Sequence, residues 1–123
     1  MVILKPSCPI NYQLCNQTVT VYHKQDDNIY TRKVHTNAFL DFRKNQTVDK
    51  TGSKEANAFL LVIPGAVQTV FVGDKVLYGV GPEISTREEW ATFIPAKVPG
   101  LVVVSYADPK YWMNKIVHTE AGG

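Results

Sequence analysis

Eight glycines and seven prolines cut this chain into short pieces, and nearly every piece long enough to fold reads as a β-strand. Thr18-Val19-Thr20-Val21-Tyr22-His23 alternates and is β-branched, as a half-buried strand is. The polar cluster Lys24-Gln25-Asp26-Asp27-Asn28 suits a hairpin turn, after which Ile29 to Val34 returns antiparallel. Ala38 to Arg43 is either a third strand or the second one continued through a kink at His35-Thr36-Asn37. Asn57 to Ile63 is an apolar run of strand length that stops at Pro64-Gly65, and it predicts a central, fully buried strand. Gln68 to Val72 and Lys75 to Pro82 read as a hairpin joined by Gly73-Asp74. Leu101 to Tyr106 is the strongest strand signal, expected in the core. Asp108 to Trp112 reads as a turn, Asn114 to Glu120 as a last strand and Ala121-Gly122-Gly123 as a flexible end.

Helix has little room. Ser85-Thr86-Arg87-Glu88-Glu89-Trp90 has a Ser or Thr three residues ahead of a Glu, the capping-box spacing, and so predicts one short helical turn. Pro95 and Pro99 forbid a long one. The reading is therefore all-β: a small antiparallel barrel or sandwich with a long polar loop and at most one short helix. That loop is Lys44 to Glu55, a dozen residues with a single apolar side chain, and such loops tend to serve function. A chain of 123 residues, 45% hydrophobic and 20% charged, supports one domain with its own core. We assign residues 1–17 to an N-terminal extension and 18–123 to the β domain.

A formal charge of +2 is far below the positive excess of phosphate-driven nucleic-acid binders. No run approaches the roughly 20 apolar residues of a membrane-spanning helix. The apolar start Met1 to Leu4 is too short for a signal peptide, which predicts cytosolic synthesis. Cys8 and Cys15 are spaced too widely for a familiar zinc pattern, and His23 and His35 do not complete one, so they read as two partly buried thiols without metal.

The search for catalysis finds three histidines, His23, His35 and His118, and no nucleophile turn. Gly79-Val80-Gly81 is followed by Pro82 and opens no helix; it reads as a tight bend after a strand, not as a dinucleotide cradle. The carboxylate pairs Asp26-Asp27 and Glu88-Glu89 are sequence neighbours that point apart. No catalytic residue, metal site or cofactor is assigned, and the expectation is a protein that is not an enzyme. Residues that suit a partner surface are Lys44, Asp49, Lys50 and Lys54 of the polar loop, with the aromatics Trp90, Tyr111 and Trp112.

A longer pattern runs through these pieces: Tyr22-His23-Lys24, a polar loop, Ile63-Pro64-Gly65, Gly73-Asp74-Lys75-Val76 with Gly79, and a closing strand from His118 to the glycine pair. From about Thr18 onward it resembles the minor capsid proteins of tailed bacteriophages, which are similar to head-closure or head-tail connector proteins. The resemblance implies a small β-barrel with a long loop, assembled as a ring at the portal vertex that closes the filled head and receives the tail. Its implied partners are copies of itself, the portal or an adaptor, tail proteins and DNA in the channel, with no membrane; its implied place is the neck of the virion. Two other readings stand beside it: a tail-completion or capsid-decoration protein, and a small β-barrel binding module outside any neck. The first 17 residues have no counterpart in the resemblance.

Overall fold

The computed structural model describes residues 11–26, 29–47 and 54–123, the side chains of 26, 43–47 and 54–58 excepted. Seven antiparallel strands form one sheet: β1 (Gln17–Asp26), β2 (Ile29–Thr47), β3 (Lys54–Pro64), β4 (Lys75–Tyr78), β5 (Leu101–Val103), β6 (Tyr106–Trp112) and β7 (Lys115–Gly122). One short helix, α1 (Arg87–Thr92), interrupts them. The strand order is β5-β4-β1-β2-β3-β7-β6, and the sheet curls into a half-barrel. The all-β expectation with one short helix holds.

Curling follows from β2. Its first half pairs with β1 as far as Ala38, and its second half, from Phe39, pairs with β3. Between Val19↔His35 and Gln17↔Ala38 the register slips by one residue, so the expected kink at His35-Thr36-Asn37 is a β-bulge within one continuous strand. Where β1 stops, the Gln17 side chain takes over its role: Oε1 accepts the Leu40 N–H at 2.7 Å. The two edge strands, β5 and β6, are consecutive pieces of chain separated only by Val104 and Ser105, and Ser105 N–H donates to Gly122 O at 2.8 Å.

Period-two alternation sorts the side chains into two clusters. Val19 and Val21, Ala38 and Leu40, Phe59, Leu61 and Ile63, Val76, Val102, Val104 and Ala121 point inward to a shared core. The opposite face of β1 and β4 is covered by the excursion of residues 79–100. There Tyr22, Leu77, Ile84, Phe93 and Leu101 form a second cluster, with Tyr30, Trp90 and Val98 against it. Thr86 caps α1 by accepting the Glu89 N–H at 3.1 Å, as the Thr-x-x-Glu spacing predicts.

Five expectations are corrected. The polar loop is shorter than Lys44–Glu55: the backbone pairs Lys44↔Asn57, Asn45↔Ala56, Gln46↔Glu55 and Thr47↔Lys54 extend β2 and β3 into a ribbon. Only 48–53 fall between the strands, outside the described residues. Gln68 to Val72 is not a strand facing β4; β4 pairs with β1 and β5, and Gly73 N–H donates to Val104 O. Asp108 to Trp112 is strand β6, not a turn, because an edge strand tolerates the missing N–H of Pro109. The turn comes at Met113-Asn114, both at positive φ. β3 buries Phe59, Leu61 and Ile63, while Leu60 and Val62 stay half-exposed, so it is a one-sided strand. The C-terminal end is pinned in β7: Ala121 is fully buried and Gly122 pairs with Leu60 and Tyr106.

Candidate functional surfaces

Four places concentrate chemistry or exposed apolar surface. The first is a corner where β1 meets the start of β4. His23 Nδ1–H donates to Asp74 Oδ1 at 2.5 Å, and Asp74 Oδ2 accepts the Phe71 N–H at 2.9 Å. Asp74 is 1% exposed, so both its oxygens need these partners, and the half-exposed His23 ring leans on Phe71. Next to it, Lys75 is buried with its ammonium donating to Trp90 O and Phe93 O at 2.6 and 2.7 Å, and it lies 4.3 Å from the Trp90 ring centre. Burial lowers the Lys75 pKa. This lysine closes the last turn of α1, whose own last turn holds no basic residue.

The bend after β4 is clamped onto β1 and β2. Thr20 Oγ1 donates to Gly79 O and accepts from Gly81 N–H, Tyr22 Oη donates to Pro82 O, and the Arg32 guanidinium donates twice to Gly81 O. Gly79 sits at φ 87°, and a Cβ on Gly81 would overlap the Tyr22 hydroxyl and lie 2.7 Å from Leu77. The Gly-Val-Gly-Pro run is a clamped bend, as its sequence suggests.

A second polar cluster joins the N-terminal segment to β7. His118, 5% exposed, lies between Tyr12 Oη at 2.9 Å from Nδ1 and Glu120 Oε1 at 3.1 Å from Nε2. In the neutral ring Nε2–H donates to the carboxylate and Nδ1 accepts from the phenol. Tyr12, Leu14, Cys15, Phe39 and Val62 share with this pair an open hollow of about 210 Å³. Burial raises the Cys15 thiol pKa. Cys8 lies outside the described residues. The sequence showed no convergent polar cluster, yet the fold builds two histidine-carboxylate pairs from partners 51 and 2 residues apart. Each pair ties two parts of the fold: His23 joins β1 to the start of β4 at Asp74, and His118 joins β7 to Tyr12 of the N-terminal segment. His35 differs: it is buried, its Nε2 has no partner among the described residues, and burial, then Lys33, lowers its pKa.

The other two places lie at opposite ends of β3, a strand of 11 residues and so roughly 35 Å. At its start is the β2–β3 ribbon, which beyond the Phe42↔Phe59 pair has no third strand beside it among the described residues. Lys44 and Lys54 are on this ribbon; Asp49 and Lys50 lie outside the described residues. At the far end, Ala66 joins Trp112, Met113, Lys115, Ile116 and Val117 of the β6–β7 hairpin around a hollow of about 290 Å³. Tyr111, Met113 and Val67 are exposed by 63%, 56% and 64%. Of the aromatics assigned to a partner surface, Tyr111 and Trp112 are therefore here. Trp90 is engaged inside its own fold, 5.3 Å from the Tyr30 ring centre and beneath Lys75.

Compared with known proteins, the chain matches no family model, no curated protein and no solved structure.

Proposed function

We propose that this protein is a structural component of the neck of a tailed bacteriophage, forming a ring at the portal vertex that closes the filled head and joins it to the tail. One observation carries the reading furthest. Two of the motifs behind the resemblance, about 50 positions apart in the chain, meet at one corner: Tyr22 pairs with Lys75, Val21 with Val76, His23 bonds Asp74, and Gly79 N–H donates to Thr18 O. A pattern that specifies a shared corner supports a shared fold better than scattered short matches do.

The surfaces suit the role. A ring of identical chains needs two different faces that meet head to tail, and this molecule has a polar ribbon at one end of β3 and an apolar hairpin at the other. A two-stranded polar ribbon is marginal alone in water, so contact with a neighbour or with DNA in the channel would stabilise it.

The test replaces residues 44–57 by Asn-Gly, shortening the ribbon at the Arg43↔Ala58 pair. The protein should still fold, since the pairs from Phe42↔Phe59 inward and both cores remain. Particles carrying it should accumulate as full heads without tails, or as heads that lose DNA. Short or unstable tails would favour the tail-completion reading, and normal particles would refute both.

A further inference from the structure

We infer that the β6–β7 hairpin end is a docking site for an acidic, apolar protein segment. Three observations converge, and none depends on the neck reading. The hollow is walled by Ala66, Trp112, Met113, Ile116 and Val117, a wall without an acceptor side chain. Beside it, Tyr111 and Val67 are each more than 60% exposed. A half-buried Trp and an exposed Met around an apolar hollow, with an exposed Tyr next along the strand, have the composition of interface centres.

The backbone supplies the second observation. Met113 and Asn114 occupy the left-handed region at φ 49° and 64°. Two-residue hairpin turns of this kind favour Asn-Gly or Gly-Gly, and Asn114 fits. Met113 does not: a long side chain pays a steric penalty there, and it is 56% exposed, so no burial within the fold compensates. A strained, exposed methionine at a hairpin tip has a reason if its contacts are made with another molecule.

The third is charge. Lys115 is the one charged residue lining the hollow, and its exposed ammonium has no partner among the described residues. The neighbouring lysine, Lys110, is already held by Asp108 at 2.8 Å, and Glu120 by His118. An apolar hollow with one uncommitted cation at its rim is complementary to large apolar side chains flanked by a carboxylate. A lysine-rich segment or a polyanion without apolar groups does not match it.

The test is an NMR titration of the full ¹⁵N-labelled chain with two peptides, Ac-Asp-Leu-Trp-Leu-Asp-NH₂ and Ac-Lys-Leu-Trp-Leu-Lys-NH₂. The acidic peptide should shift the Trp112 indole and the amides of residues 112–117 saturably, and should bind roughly threefold more tightly than the basic one. Lys115→Glu should reverse that order. Met113→Gly suits the positive φ and so keeps the fold; it should weaken the acidic peptide by about fivefold or more. Equal binding of both peptides, shifts centred elsewhere, or an unweakened Met113→Gly variant would overturn the inference. Movement of the same resonances on simple dilution, without peptide, would overturn it in favour of a second copy of this chain.

Discussion

Each of the two tryptophans in this protein sits beside a lysine, and the two pairs have opposite fates. At Trp90 the lysine is Lys75: its charge is spent on two backbone carbonyls, its stem is buried, and Tyr30 covers the ring. At Trp112 the lysine is Lys115, uncommitted and at the edge of an open hollow. Residue type alone does not separate a core anchor from a docking surface. What separates them is whether the fold has used the polar atoms nearby.

That contrast can be broken from its closed side first. Gly81→Ala should cost about 2 to 3 kcal/mol in urea unfolding, since the new methyl meets the buried Tyr22 hydroxyl and Leu77. Lys75→Met keeps the volume but leaves Phe93 O without its donor and Trp90 O with only the shared Phe93 N–H, for about 2 kcal/mol. Amide exchange in residues 87–93 should accelerate more than in β3.

Acidification probes the same question at His35. Its folded pKa lies below the unfolded value of about 6.5, so only the unfolded chain takes up this proton as pH falls past that value. The His35 contribution is complete above about pH 6.5. It is lost toward its folded pKa at no more than about 1.4 kcal/mol per pH unit. The urea midpoint of His35→Leu should therefore fall less between pH 7 and pH 5 than that of the parent, and parallel curves would remove His35 as the cause.

On the open side the effect is smallest and opposite in sign. Met113→Gly should raise stability by about 0.5 kcal/mol, because relief of the left-handed strain slightly exceeds the chain entropy that glycine adds. A loss of stability would mean that Met113 packs on the hairpin in solution, and the two tryptophan sites would then be less different than they look.

Local signals carried the parts of the fold that local physics decides. The β1–β2 hairpin, the bulge at residues 35–37 and the Thr86 cap each follow from a few neighbouring residues. Gly73-Asp74 misled because glycine and aspartate serve a hairpin turn and a buried corner equally well. Here the aspartate reaches His23, 51 residues away, which no window reveals. Asp108-Pro109 looked like a turn because the tolerance of proline depends on being at a sheet edge, a property of the strand order. The terminal glycines looked loose, yet a Cβ on Gly123 would lie 2.6 Å from the Phe59 ring and 2.9 Å from Val103 O. The docking surface was half legible. Tyr111 and Trp112 drew attention by type, whereas the vacancy around Lys115 and the strain at Met113 exist only in three dimensions.

The placing of β7 has a consequence for biosynthesis. It follows the other six strands in the chain, and it lies between β3 and β6 instead of at a margin. Until residues 115–122 have been made and have left the ribosome, β3 offers an unpaired flank and β6 has nothing to zip against. The nascent chain thus passes through a stage with sticky β surface on display, and completion of a single strand ends it.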